Sequence, residues 1–267
     1  MKTAVITGAS DGIGLLTAKA LCEREFRVIM CNRSKEKSDR AIETIKQQNP
    51  SAQIEAILCD LADFASVRRA ASTILKMTDQ IDVLLNNAGI FMNEHSLSQD
   101  GVEMTMLVNY YSHFLLTGLL IDRLRQSNAR VISVSSIAHR NGKIDMDDLD
   151  YKKIFTPYQP YADSKLAMII FSKTLARRYK EITSNSLHPG IIDTKLLHTG
   201  FGIKGAPIAE GIKTSVFLAT SDVVKDVTGK YFVDEKEART KELTDSEELQ
   251  DSFWRLSEKI TGFTYPV

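Results

Sequence analysis

Short apolar runs rich in β-branched residues alternate with longer segments of helical period along the whole chain, and no other feature restricts its fold so tightly. The runs fall at Ala4 to Thr7, Arg27 to Cys31, Ile54 to Cys59, Val83 to Asn86, Val131 to Ser135 and Ser184 to His188, with a seventh near Gly229 to Asp234. Their near-continuous apolar character marks strands buried on both faces. Helical spacing runs through Ile13 to Arg24, Lys35 to Gln48, Phe64 to Met77, Val102 to Arg125 and Tyr161 to Tyr179, and a last helix is expected near Ser246 to Ile260. A helix between successive strands returns the chain in the same direction, so the strands lie parallel and helices cover both faces. The expected architecture is α/β, a doubly wound seven-stranded parallel sheet. No linker, low-complexity tract or repeat interrupts the pattern, so residues 1–267 are read as a single domain.

Composition narrows the ligand. The 34 basic and 34 acidic residues cancel, which leaves no electrostatic footprint for nucleic acid and no polybasic stretch for acidic lipid. The longest apolar candidate, around Phe114 to Ile121, falls far short of the ~20 residues of a membrane helix. Lys2 runs directly into the first strand, so no signal peptide is expected. Cys22, Cys31 and Cys59 lie within apolar stretches and read as reduced core thiols, consistent with a cytoplasmic protein. Asp145, Asp147, Asp148 and Asp150 lack the glycine and terminal glutamate of a calcium loop, and the five histidines show no ligand spacing, so no metal is expected. A small molecule is the expected ligand.

The first strand ends in Thr7-Gly8-Ala9-Ser10-Asp11-Gly12-Ile13-Gly14, which opens the first helix. Glycines allow a tight turn and a close approach of the helix N-terminus to a pyrophosphate. The spacing is G-x-x-x-G-x-G, and a purely structural turn is the competing reading; its place directly after the first strand favours the dinucleotide cradle of a Rossmann fold. Gly8, Ser10, Gly12, Ile13 and Gly14 are therefore assigned to the cofactor. At the end of the second strand stands Asn32-Arg33-Ser34-Lys35, with no carboxylate to bond a ribose 2′-hydroxyl. Arg33 offers a planar charge suited to a 2′-phosphate, so NADP(H) is preferred over NAD(H); an exposed arginine capping the next helix is the alternative.

These motifs and those that follow them resemble the short-chain dehydrogenase/reductase family in order and spacing. They are the glycine turn, Asp60-Leu61 after the third strand, Asn86-Asn87-Ala88-Gly89 after the fourth, Ser135-Ser136 after the fifth, Tyr161-Ala162-Asp163-Ser164-Lys165, and Pro189-Gly190 after the sixth. Asp60-Leu61-Ala62, His139 with the acidic stretch after it, and Gly229-Lys230-Tyr231-Phe232 bring the chain nearest to the retinol dehydrogenase-like branch. The resemblance implies that Asp60 and Leu61 meet the adenine, that Asn87, Ala88 and Gly89 pack beside the adenosine ribose, and that Pro189, Gly190 and Thr194 hold the nicotinamide side. Asn86 to Gly89 also reads as an ordinary turn. The resemblance further implies a homodimer, with monomers among its members, through the helices here spanning 102–125 and 161–179.

Tyr161 and Lys165 stand four apart on one helix face, about 5 to 6 Å between Cβ atoms. An ammonium beside a phenol, whose ordinary pKa is about 10, is expected to pull it toward neutrality. Lys165 is also expected to bond a ribose hydroxyl. Ser136 sits at the carboxyl end of a central strand, where such sheets bind ligands, and its hydroxyl can polarise the substrate oxygen; the resemblance implies a catalytic serine just before the pair Ile137-Ala138, which selects Ser136, while Ser135 alternates to the other face. By resemblance, Asn109 in the long fourth helix holds a water that links Lys165 to solvent. Asn109, Ser136, Tyr161 and Lys165 form the expected catalytic set.

Two segments are candidates for substrate recognition: the insertion at 139–159, and a lid loop at 196–207 that mixes Leu196, Leu197, Phe201 and Ile203 with glycines. No basic cluster lines them, so the expected substrate is a lipophilic aldehyde, ketone or alcohol. Two alternatives are a non-catalytic NADP(H)-binding regulator and an NAD-dependent alcohol dehydrogenase.

Overall fold

A computed structural model describes residues 1–267. Its strands are β1 (Thr3–Thr7), β2 (Arg27–Asn32), β3 (Ile54–Leu58), β4 (Val83–Asn86), β5 (Arg130–Val134), β6 (Thr183–His188), β7 (Tyr231–Val233) and β8 (Lys236–Glu237). They form one sheet in the order β3-β2-β1-β4-β5-β6-β7-β8. The seven expected strands are present and parallel. The eighth corrects the expected count: β8 pairs antiparallel with β7. Asp234 and Glu235 at φ 48° and 62° make the two-residue turn that folds it back. A strand of two exposed residues leaves no apolar run to read.

Strand order reverses between β1 and β4, which opens a crevice at their carboxyl ends. Alternation along each strand feeds two cores. Ala4, Ile6, Val28 and Met30 pack against α1 (Gly12–Cys22), α2 (Lys35–Gln48) and a later helix, α10 (Lys213–Thr220). Val5, Ile29, Leu84 and Val131 face α3 (Phe64–Met77), α5 (Ser112–Leu119) and α7 (Tyr158–Arg178). Ser34 caps α2 by accepting from Lys37 N–H, and Asp63 caps α3 by accepting from Ala65 N–H.

The long helix expected at 102–125 is broken into α4 (Met104–Met106), a π turn (Leu107–Tyr111), α5 and α6 (Ile121–Gln126). Buried Glu103 caps its start by accepting from Met106 N–H at 2.7 Å. Part of the lid region is a helix, α8 (Lys195–Phe201), capped by Thr194 and ended by Gly202 at φ 63°. Helices α9 (Ile208–Gly211) and α10 were not expected, because four and eight residues give one to two turns, too little for a clear helical period.

The last helix, α11 (Glu247–Thr261), bears on the dimer expectation. It lies across α7 and α5, where Phe253 stacks on Tyr110 at 5.0 Å, and Trp254 meets Phe114 at 5.0 Å and Phe171 at 5.9 Å. Arg177 and Arg178 of α7 both pair with Asp251, and the Arg178 guanidinium lies 4.8 Å from the Trp254 ring. Arg178 is the single exposed residue of α7. The tail of this chain thus occupies the face through which a second copy was expected to pair. No helix is long and apolar enough to cross a membrane. The protein is expected to sediment as a monomer, and Trp254→Ala to cost about 3–5 kcal/mol in denaturant unfolding by opening a cavity under α11.

Candidate active site

The glycine turn leaves β1 with Gly8 at φ 65° and enters α1 at Gly12, φ 56°. A Cβ on Gly14 would stand 2.2 Å from the Gly8 carbonyl oxygen and 2.6 Å from Asn87 Nδ2, whereas one on Gly12 would meet nothing within 4 Å. Gly14 is therefore fixed by backbone packing, and the space beside Gly12 is open to a ligand. Ser10 and Ile13 stand partly exposed on the same turn. Asn32 is buried; its amide oxygen accepts from Ala9 N–H at 2.7 Å and its amide donates to Ser38 Oγ at 3.1 Å. Its side chain shapes the turn from the end of β2. Arg33 is exposed and joins no ion pair, and Lys37, which sequence reasoning passed over, is likewise exposed and unpaired on the first turn of α2.

Across the crevice, Thr7 Oγ accepts from Asn87 N–H at 2.9 Å and Ala88 N–H at 3.0 Å. Asn87 Nδ2 donates to the carbonyls of Thr7 and Gly8. Buried His113 on α5 has its Nε2 2.9 Å from Thr7 Oγ and its Nδ1 3.1 Å from the Asn109 carbonyl. A carbonyl only accepts, so Nδ1 carries the proton and Nε2 takes the Thr7 hydroxyl proton. Burial pushes His113 down to about 4, which keeps it neutral. Asp60 accepts from Ala62 N–H at 3.0 Å, and the Leu61 carbonyl accepts from Ser112 Oγ at 2.6 Å, which seats this segment on α5.

Asn109 sits in the middle of the π turn, a helical distortion frequent at functional sites. Its Oδ1 accepts from Ile90 N–H at 2.7 Å, while Nδ2 donates to the Ile90 carbonyl and to Ser164 Oγ, both at 3.0 Å. Both amide protons are thus spent within the protein, and the side chain pins the chain after Gly89. A Cβ on Gly89 would lie 3.4 Å from Lys165 Nζ and 3.5 Å from Asn109 Oδ1, so these three positions meet.

Lys165 is buried and donates to the Val134 carbonyl at 3.1 Å; its Nζ lies 5.6 Å from the Tyr161 ring centre. Ser135 Oγ donates to the Lys165 carbonyl at 2.6 Å, which removes it from the chemistry. Ser136 caps the following turn by accepting from Ala138 N–H at 3.2 Å, and its hydroxyl lies on the Tyr161 side, where it favours the charged phenol. The four expected catalytic residues converge. Their electrostatics differ from expectation: burial pushes Tyr161 up to about 12, with Ser136 opposing, and pushes Lys165 down to about 8. Desolvation outweighs the neighbouring ammonium because both groups are sealed from water.

An aromatic wall seals them. Phe91 lies 5.3 Å from Tyr161, and Phe201 of α8 lies 5.7 Å from Tyr161 and 5.2 Å from Phe91. Tyr158 approaches Phe201 at 6.1 Å. Only Phe201 of these was anticipated, since Phe91 and Tyr158 carry no motif. Pro189 and Gly190 (φ 99°) lead from β6 to Thr194, whose hydroxyl accepts from Leu197 N–H. Lys195 then pairs with Asp11 of the glycine turn, so α8 bridges the crevice. The insertion is tied down by buried Asp163, which accepts from Lys143 N–H at 2.6 Å and from Tyr151 Oη and Gln159 Nε2, both at 2.8 Å.

A glycine turn, a tyrosine and lysine one helical turn apart, and a serine at the next strand end make a dehydrogenase site, and residues 2–201 match the family model for short chain dehydrogenases. The chain belongs to the short-chain dehydrogenase family. Human retinol dehydrogenase 13 is 35% identical, over 99% of this chain and 86% of the relative. Human polyprenol dehydrogenase is 32% identical, over 98% and 85%. The crystal structure of an uncharacterized protein from Mycobacterium paratuberculosis superposes with a TM-score of 0.84 at 30% identity, over 100% of this chain and 96% of that one. This short-chain dehydrogenase is accordingly an oxidoreductase of the retinol dehydrogenase-like type.

Gly14→Ala is expected to abolish cofactor binding in a fluorescence titration, because its Cβ would collide with the Gly8 carbonyl and the Asn87 amide; Gly12→Ala should cost the folded protein the strain of a positive φ, about 1 to 2 kcal/mol, without a clash inside the protein. Burial also depresses His113 below its ordinary value of about 6.5, so the unfolded chain binds a proton that the folded one refuses. Stability should therefore fall as pH drops from about 6.5 toward 4. In urea unfolding across that range, His113→Asn should flatten the slope by up to about 1.4 kcal/mol per pH unit.

Proposed function

We propose that this protein is an NADP(H)-dependent oxidoreductase that interconverts a lipophilic aldehyde or ketone and its alcohol. The observation that carries the reading is the Tyr161 phenol, with the Ser136 hydroxyl acting on it, close to the Lys165 amine and walled by Phe91, Phe201 and Tyr158. The residues fit a nicotinamide dinucleotide. Gly8 to Gly14 form a turn in which a Cβ at Gly14 would collide, the N-terminus of α1 favours an anion, and Lys165 donates to one protein acceptor although an ammonium has three protons to give. Arg33 and Lys37 support NADP(H), since two unpaired cations, one just after β2 and one on the first turn of α2, favour a 2′-phosphate. The apolar character of the wall supports a lipophilic substrate.

When bound, the nicotinamide would supply or take up the hydride. Ser136 would donate to the substrate oxygen and hold it beside the phenol. Tyr161, kept protonated through the neutral range by burial, would give its proton to that oxygen in reduction and take it back in oxidation. The Lys165 ammonium would stabilise the phenolate left behind. Phe201 and Phe91 would exclude water while α8 stays closed.

NADPH consumption by the purified protein against a panel of aldehydes and ketones, with the corresponding alcohols and NADP⁺ in reverse, tests this reading. Turnover is expected with apolar members, and Tyr161→Phe should lower kcat about 10²- to 10⁴-fold. Arg33→Asp should lower the ratio of NADPH to NADH efficiency roughly 10- to 100-fold, the worth of one or two charge-assisted bonds. Cofactor binding without turnover of any panel member would instead mark a non-catalytic NADP(H)-binding regulator, and an unchanged ratio would remove Arg33 from cofactor selection.

A further inference from the structure

The wall over Tyr161 is apolar except at one atom. Phe91, Ala138 and Tyr161 form a small buried cluster apart from the two main cores, closed by Tyr158 and Leu196, and Phe201 joins it 5.7 Å from Tyr161. Among these side chains Tyr158 is the only one, besides the reacting phenol, that carries a hydrogen-bonding group. It opens α7 three residues before Tyr161, so the two phenols leave the same face of the helix, about 5 to 6 Å apart at Cβ. Lys165 follows one turn beyond Tyr161, which places the reacting phenol between an amine and a second phenol. The half-buried Tyr158 ring meets Phe201 edge-on at 6.1 Å, so it is part of the wall.

Tyr158 Oη accepts from Asn141 Nδ2 at 2.8 Å. Asn141 ends the 3₁₀ turn that Ser136 caps, so this bond joins, at the rim of the site, the two elements that carry Ser136 and Tyr161. The bond accounts for the oxygen of Tyr158 and not for its proton, which goes to no group in the protein. Conjugation keeps a phenolic proton in the plane of its ring, on one side or the other, and a donor on one side leaves the proton to the opposite one. Asn141 is exposed, at the outer edge of the turn, so the Tyr158 proton is turned away from that edge. Accepting from the amide also polarises the O–H and strengthens it as a donor. In an apolar pocket a single placed polar group of this kind fixes the orientation of a ligand.

We propose that Tyr158 is a substrate-binding residue that donates a hydrogen bond to a second oxygen of the substrate, so that the protein selects lipophilic carbonyl compounds bearing an ether, ester or further keto oxygen a few bonds from the reacting carbonyl. The proposal rests on the reading of Ser136 and Tyr161 as the groups that hold the reacting oxygen. With that oxygen in place, the second one replaces the water that otherwise meets the Tyr158 proton. A substrate with a methylene at that position leaves the proton without a partner, and discrimination arises from that loss. The length of the selected substrate is set by the single helical turn between the two phenols.

The test is a ratio of efficiencies. Purified protein with NADPH is assayed on a series of alkoxy-ketones that differ in the position of the ether oxygen, each beside the all-carbon ketone of the same length. Wild type should favour the ether member in at least one position about two- to tenfold in kcat/KM, the worth of one neutral hydrogen bond, with most of the difference in KM. Tyr158→Phe keeps the ring in the wall and should bring that ratio to about one, whatever it does to the rate common to both ketones. Asn141→Asp should do the same by another route, because its carboxylate only accepts and draws the Tyr158 proton to itself. Turnover of both ketones with no preference in wild type, or with a preference that survives in Tyr158→Phe, overturns the contact and leaves the enzyme reading standing. Loss of the ratio in Tyr158→Phe but not in Asn141→Asp overturns the part assigned to Asn141. Absence of turnover by wild type on every member sinks the enzyme reading, and the contact falls with it.

Discussion

One hydroxyl ties together the parts of this site that come from different regions of the chain. Thr7 Oγ, at the end of the first strand, receives two backbone N–H groups from the turn after β4 and donates its own proton to a neutral histidine on α5. The histidine in turn bonds the carbonyl of Asn109. The crevice between β1 and β4 is thereby closed to a defined width, and the glycine turn, the Asn87–Gly89 turn and the π turn are each located relative to the other two. A protonated His113 would have no lone pair for Thr7, which is why its burial in the neutral state matters to the whole arrangement.

Desolvation governs the reacting groups. Enclosed by Phe91, Phe201 and the body of the sheet, the phenol rises and the amine falls, each toward its neutral form. Such a site holds a proton ready on Tyr161 and releases one readily from Lys165, an arrangement that suits proton donation to a developing alkoxide.

Two peripheral elements adapt the common architecture. The C-terminal helix α11 buries Phe253 and Trp254 on the outer faces of α5 and α7, so the faces that would otherwise be apolar and exposed become core. Helix α8 reaches from Gly190 back to the glycine turn, with the Lys195–Asp11 pair at its start and Phe201 on the tyrosine at its end. Because the pair is exposed to water, it adds little to holding the helix in place, and the packing of Phe201 does most of that.

Much of this was legible in the residues alone. Seven apolar runs became seven parallel strands, because burial on both faces demands continuous apolar sequence, and Gly14 and the Tyr161–Lys165 spacing carry constraints that any copy of the motif would carry. The choice of Ser136 over Ser135 rested on the family resemblance together with strand alternation. What sequence could not show depended on which residues meet in space. Asn109 is a poor helix former within an expected helix, but only packing against Ile90 and Ser164 reveals that its amide is consumed and that the helix widens to a π turn there. His113, Phe91 and Tyr158 carry no local signature; their roles arise from contact with Thr7 and Tyr161, far away along the chain. The direction of the Tyr161 shift likewise depended on burial. A sequence shows that an ammonium lies one turn away, whereas the tertiary structure decides how much water surrounds the pair, and in this protein desolvation is the larger effect.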